Sequence, residues 1–286
     1  MSSPTSVTAD AEQAEGGGTA SAGPRAFLTD VESRVMEARG NGRTYQISVA
    51  LPDGYGTEAT WPVLYVTDAN AEFGLAVETA RLGAFAGEMP GLVVVGIGYP
   101  NPGQGFRASL TPRAFDLTPT CDPSASVPTG GAPVFLSFLR DELVPLIERD
   151  FSVSRTDRGL MGHSFGGLFA TYALVAGAGL FGRFVIASPS IWWHDRSILA
   201  MEEACAASGA PMEARVFLAA GSLERTPAGV PVADDITGLA QRLHDRRYPG
   251  LEVECHSFDG EGHVSVIGAA FSRGLRAVYG RSAAGR

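Results

Sequence analysis

Lysine is missing from this chain, whose 22 cationic side chains are all arginine. That absence excludes Schiff-base lysines, P-loop lysines and Ser-Lys dyads, so any activated nucleophile must hand its proton to another group. Cysteine is scarce as well. The three present, Cys121, Cys205 and Cys255, are widely spaced and form no C-x-x-C pair, which argues against a metal knuckle or a disulfide framework. Positive charge is the minority sign: a net charge of −9 argues against nucleic acid and anionic membrane surfaces as partners. No apolar run is long enough to cross a bilayer. Residues 1–25 are rich in Ser, Thr, Ala, Glu and Gly, without a basic start or an apolar stretch. They read as a disordered leader rather than a signal peptide, and the expected location is cytoplasmic.

What is present suits an α/β fold. The chain has 286 residues, 45% of them hydrophobic, enough to bury a large core without staples. One catalytic domain is expected over residues 26–281, with a flexible tail at 282–286. Thr44 to Leu51 alternates like an antiparallel strand, whereas Pro62 to Thr67 and Gly91 to Gly98 are continuous apolar runs, as in buried parallel strands. A helix is expected from Phe73 to Glu88, and a long surface loop or lid from Pro100 to Gly131. An amphipathic helix follows, with Phe135, Phe138, Leu139, Leu143, Leu146 and Ile147 on one face. Strands near Arg183, Arg215 and Leu251 then alternate with helices near Ser197, Asp234 and Val264. The pattern predicts a mostly parallel central sheet flanked by helices on both faces, with ligands beyond the carboxyl ends of the strands.

The chemistry concentrates at Met161-Gly162-His163-Ser164-Phe165-Gly166-Gly167. G-x-S-x-G between a strand and a helix is the nucleophile elbow, in which a tight turn presents the serine and glycines tolerate the crowding. Ser164 is the candidate nucleophile. Of the five histidines, His263 lies in a glycine-rich loop between the last strand and the last helix, where an α/β-hydrolase keeps its base. His163 is expected to point away from the reactive face, His244 and His256 to be structural, and His194 to be a minor candidate. The acid should end the preceding strand, which delivers Glu224. Asp234 and Asp235 compete, although an aspartate ahead of an amphipathic run reads more simply as a helix N-cap; Glu261 is too close to His263 to orient it easily. Oxyanion donors are sought at the backbone amides of Phe165 and of Asn70, in a segment that reads equally well as an ordinary turn.

With these residues placed, the chain resembles the Putative esterase (esterase D-like) family of α/β-hydrolases, and within it the ferric-siderophore esterases that open enterobactin- and bacillibactin-type trilactones. The matching stretches are Pro62 to Asn70, Val95 to Tyr99, Arg113 to Pro119, Gly162 to Phe169, Ser188 to Trp193 and Gly260 to Ser265. The resemblance implies Ser164 as nucleophile, His263 as base and Glu224 as acid, although some members are viewed as Ser-His dyads. It also implies that Arg113 faces the substrate; pairing with Asp116 is the alternative. Trp192 and Trp193 could wall the acyl pocket or belong to the core. The family usually carries Asp-Gly-Asn where this chain has Asp68-Ala69-Asn70, and an alanine there limits the backbone of the oxyanion loop.

The function expected is a serine carboxylic-ester hydrolase acting through an acyl-enzyme, without metal or cofactor, on a siderophore trilactone or similar secondary-metabolite ester. Its activity should rise with pH as His263 loses its proton. The alternatives are an acyltransferase or a carbohydrate-ester (feruloyl or acetyl) esterase on the same site, and a non-catalytic hydrolase scaffold.

Overall fold

The computed structural model describes residues 28–56, 60–100 and 106–280. The expected leader over 1–25 and tail over 282–286 lie outside the described residues. Among the described residues, eight strands form one sheet in the order β1-β2-β4-β3-β5-β6-β7-β8. They are β1 (Val31–Glu37), β2 (Thr44–Ala50), β3 (Trp61–Val66), β4 (Val93–Gly98), β5 (Val153–His163), β6 (Arg183–Ala187), β7 (Ala214–Gly221) and β8 (Leu251–Phe258). Only β2 runs against the rest: it pairs antiparallel with both β1 and β4, and the other neighbours pair in parallel.

Burial follows position in the sheet. Every residue of β4 is buried, and β6 and β7 are buried nearly throughout. Their side chains meet helices on both faces, hence the continuous apolar runs. The edge strands β1 and β8 mix exposed and half-buried positions. β1 has too few apolar residues to stand out from the sequence, which is why only its partner β2 is legible there.

The helices divide between two apolar layers. On one face, α1 (Ala69–Phe85) and α8 (Val266–Tyr279) cover Leu64, Val66, Val94, Met161, Val185 and Phe217. Phe271 and Leu275 of α8 are wholly buried, and each such side chain contributes roughly 1.5–3 kcal/mol. The other face is covered by α3 (Ala132–Phe138) and α4 (Val144–Asp150), joined through a π-helical turn (Leu139–Leu143), with α5 (Phe165–Ala176), α6 (Trp193–Ser208) and α7 (Val232–Arg246). The expected amphipathic face is the buried one: Phe135, Phe138, Leu139, Leu143 and Ile147 are at most 3% exposed. Among the described residues no helix is long and apolar enough to cross a membrane.

Four expectations change. The helix expected from Phe73 starts at Ala69, because Asp68 turns the chain in the left-handed region (φ 51°, ψ 35°) and the helix begins at once. The expected long loop is partly helical. Residues 101–105 lie outside the described part, but a 3₁₀ turn (Phe106–Ser109) leads into α2 (Leu110–Asp116), and Arg113, Ala114, Asp116, Leu117 and Thr118 are buried. α6 begins four residues before Ser197, with His194, Asp195 and Arg196 all in left-handed conformations. α7 begins at Val232 with Pro231 at its cap position. Asp234 and Asp235 therefore lie in its first turn rather than capping it, and Asp235 is buried against Arg196 at 2.7 Å.

Candidate active site

β5 ends at His163 and α5 starts at Phe165, which leaves Ser164 alone to make the turn. Its backbone sits at φ 60° and ψ −117°, a region that costs a non-glycine residue of order 1–3 kcal/mol. The surroundings hold it there. Ser164 N–H donates to the Ala187 carbonyl at 3.0 Å, and the Ser164 carbonyl accepts from Leu168 N–H at 2.9 Å. Glycine is required on the approach: a Cβ at Gly162 would lie 2.5 Å from both the Gly166 carbonyl oxygen and Thr67 Oγ1. The elbow and the end of β3 are therefore packed too closely for any side chain between them.

His263 follows β8 in the loop before α8, and Glu224 follows β7. His263 Nδ1 lies 2.6 Å from Glu224 Oε2. The other carboxylate oxygen, Oε1, accepts from Ser188 Oγ at 2.7 Å and from Gly221 N–H at 2.6 Å. Glu224 is 3% exposed. Burial alone would raise its pKa, but the hydrogen bonds from His263, Ser188 and Gly221 outweigh that and hold it below the usual glutamate value. An ionised carboxylate can only accept, so Nδ1 carries the proton and Nε2 is left with its lone pair. Ser164 Oγ has no side-chain hydrogen bond among the described residues; in sites of this type that bond often closes only with substrate present.

His163 does not simply turn away. Its ring centroid is 4.4 Å from that of His263, and Nδ1 is 3.7 Å from Glu72 Oε1. Burial, followed by the neighbouring His263, drives its pKa down to about 3, so it is neutral at physiological pH. Beneath it, burial and the neighbouring Asp68 raise the Glu72 carboxyl well above its ordinary value. His194 is exposed beside the tryptophans, His244 lies in the last turn of α7, and His256, on β8, lies 3.2 Å from Arg273 of α8.

Asn70 stands in the first turn of α1. Its side chain clamps the end of β4, with Nδ2 donating to the Tyr99 carbonyl at 2.9 Å and Oδ1 accepting from Tyr99 N–H at 2.7 Å. The left-handed residue of this turn is Asp68, while Ala69 is helical. Alanine in the family's glycine position therefore meets no backbone obstacle. Arg113 is 8% exposed and binds Asp68 through two hydrogen bonds of 2.8 Å. Its partner is thus Asp68; Asp116 instead faces Arg43 at 3.0 Å. Trp193 is buried, with Nε1 donating to the Thr120 carbonyl at 3.3 Å, and Trp192 is half-buried. The Trp192 and Trp193 ring centroids are 6.4 and 5.2 Å from that of Phe165, which places both against the residue after Ser164.

Sequence reasoning missed Ser188, Asp68 and Glu72 as members of this cluster. The signal for Ser188 was its place just past β6, at the same edge of the sheet as the elbow. The other two are acids at the start of a helix, which look unremarkable until the fold closes over them.

The strand order, the antiparallel second strand and the elbow after β5 make this chain an α/β-hydrolase. Residues 39–278 match the model of a family described as Putative esterase, and the chain belongs to that family. It is 33% identical to the ferri-bacillibactin esterase BesA of Bacillus subtilis over 261 residues, covering 87% of this chain and 89% of the relative. It is also 33% identical to the siderophore triacetylfusarinine C esterase of Aspergillus fumigatus over 265 residues, covering 82% and 88%. The crystal structure of the BES protein from Bacillus cereus superposes with a TM-score of 0.81 at 32% identity, over 91% of this chain and 98% of that one. By fold and family the chain is a serine esterase, a carboxylic-ester hydrolase.

Proposed function

We propose that Ser164, His263 and Glu224 form the catalytic triad and that the substrate is a siderophore trilactone or a similar secondary-metabolite ester. The observation that carries the triad is the 2.6 Å bond between His263 Nδ1 and Glu224, beside a serine held in the elbow conformation. Ser164 Oγ attacks the ester carbonyl while His263 Nε2 takes its proton. The tetrahedral oxyanion is held by the backbone amides of Phe165 and Asn70. Collapse breaks the ester C–O bond, and His263 returns the proton to the departing alkoxide. Water then adds its oxygen to the acyl carbon as His263 takes its proton; collapse breaks the bond to Ser164 Oγ, His263 returns that proton to Oγ, and the acid leaves. Glu224 keeps the imidazole tautomer and stabilises the imidazolium without taking a proton itself.

The substrate class is supported by the relatives' names: the first acts on ferri-bacillibactin and the second on triacetylfusarinine C. These names do not favour acyl transfer or a carbohydrate ester. Trp192, half-buried beside Phe165, suits an aromatic substituent carried on the substrate, since flat rings stack on indoles. A cytoplasmic location belongs to the same reading, and cell fractionation would check it. The test of function is hydrolysis of a catecholate trilactone, with and without iron, beside a short p-nitrophenyl ester, by wild type and Ser164→Ala. A Ser164-dependent preference for the trilactone is expected. Activity on the simple ester alone would remove the siderophore substrate, and activity surviving in Ser164→Ala would remove the nucleophile.

A further inference from the structure

We infer that Arg113 is a positioning residue of the esterase reaction, a clamp that ties the two sides of the oxyanion hole together, rather than the cation that receives an anionic substrate. The inference rests on the proposed triad and on donors at Phe165 and Asn70.

One side of the hole is the turn from β3 into α1. Asp68 is its pivot, in the left-handed region at φ 51°. Its carbonyl accepts from Ala71 N–H at 2.9 Å and from Glu72 N–H at 3.1 Å. Any rotation at Asp68 therefore moves the first turn of α1, Asn70 included. Its carboxylate makes no helix cap, although an aspartate in that place commonly does. Both oxygens instead go to Arg113, through Nε and Nη2 at 2.8 Å each.

The other side is the elbow. The Arg113 guanidinium lies 5.3 Å from the centroid of Phe165, the residue after the nucleophile, and 5.5 Å from that of Phe106. A Cβ at Gly166 would stand 3.3 Å from Asp68 Oδ2, so carboxylate and elbow are already in close approach. One planar cation thus holds the turn by a two-point bond and the elbow by an aromatic face.

The same contacts leave little for a substrate. The Arg113 side chain is 10% exposed, and Asp68, 0% exposed, balances its charge. Geometry also dictates the residue type. A fork can hold both carboxylate oxygens and stack on a ring, which a single ammonium cannot do.

Hydrolysis of a neutral ester, p-nitrophenyl hexanoate, and an anionic one, mono-p-nitrophenyl adipate, separates the two roles. The proteins are wild type, Arg113→Lys, Asp68→Asn and the double variant, with Ser164→Ala alongside. Each single change should lower kcat about 10- to 100-fold on both esters, less than the ~10²–10³ of removing a donor outright. KM should stay within about threefold. The double variant should be no worse than the worse single one, because both changes break one clamp. The opposite pattern overturns the inference: Asp68→Asn keeps or gains activity on the adipate while Arg113→Lys raises KM for the adipate alone. Full kcat in both single variants overturns it too. If Arg113→Lys fails to fold by circular dichroism, Asp68→Asn, isosteric and uncharged, carries the test. Activity persisting in Ser164→Ala strikes at the triad instead, a different result from either.

Discussion

Replacing Glu224 by glutamine keeps the shape of the side chain and removes one property, the ability to accept at both ends. The structure dictates how the amide must sit. Gly221 N–H and Ser188 O–H both point at Oε1, at 2.6 and 2.7 Å, so the amide oxygen stays there. The NH₂ group is then forced to face His263 Nδ1, across the 2.6 Å now spanned by the donated bond. Two donors cannot share that gap. Nδ1 must give up its proton and accept, and the proton moves to Nε2, where it blocks removal of the Ser164 proton. An amide in place of the triad acid costs about 10⁴ in kcat in the serine-protease case. The same inversion here should cost about 10³–10⁴, or roughly 4–5.5 kcal/mol of barrier. The melting temperature should move only a few degrees, because two of the three hydrogen bonds survive. Steady-state kinetics on a p-nitrophenyl ester, with melting curves on the same samples, would decide it. A glutamine variant retaining more than about a tenth of wild-type kcat would refute the tautomer argument and leave a Ser-His dyad with a structural glutamate.

Other outcomes can be checked with the same assays. Gly162→Ala should lose about 1–3 kcal/mol of stability from overpacking and most of its activity, since its Cβ would meet the Gly166 carbonyl and Thr67 at 2.5 Å; urea melts that match wild type would contradict this. His163, pushed by burial down to about 3, binds fewer protons folded than unfolded below pH ~6.5. Its contribution is complete above that pH and is lost as pH falls toward 3, at up to about 1.4 kcal/mol per pH unit. His163→Gln should therefore flatten the acid limb of the stability curve, and an unchanged slope between pH 6.5 and 4 would show that His163 does not titrate as argued. Asp116 has the opposite sign: burial raises its pKa to about 6, so its carboxyl favours the fold below pH ~4 and that benefit is lost as pH rises to 6. Asp116→Asn should gain stability relative to wild type as pH rises from 4 to 7, measured by urea melts at both pH values.

The sequence carries the parts of the fold that depend on local composition. Strands buried on both faces must be apolar along their length, so Val63 to Val66 and Val93 to Gly98 are plain to read. The elbow is legible because the crowding at Gly162 demands a glycine, and a serine set in G-x-S-x-G between strand and helix stands out as a pattern. The same chain order brings Glu224 to His263, since both follow neighbouring strands, β7 and β8. What escapes are features made by distant contacts. Arg113 and Asp68 are 45 residues apart, and nothing near either names the other. Asp235 looks like a cap until Arg196, 39 residues earlier, is seen to claim it. The start of α1 is hidden because a single left-handed residue, Asp68, leaves no compositional mark.

The backbone at Ser164 also sets a direction for the chain's evolution. A serine at φ 60° and ψ −117° holds the fold in a state that glycine would occupy without strain. The residue that best suits this turn is thus one that cannot react. In a lineage freed from the need to hydrolyse esters, drift at this position should run toward glycine and a more heat-resistant protein. Retention of serine in a descendant would then be a record of continued selection on chemistry, readable without any assay.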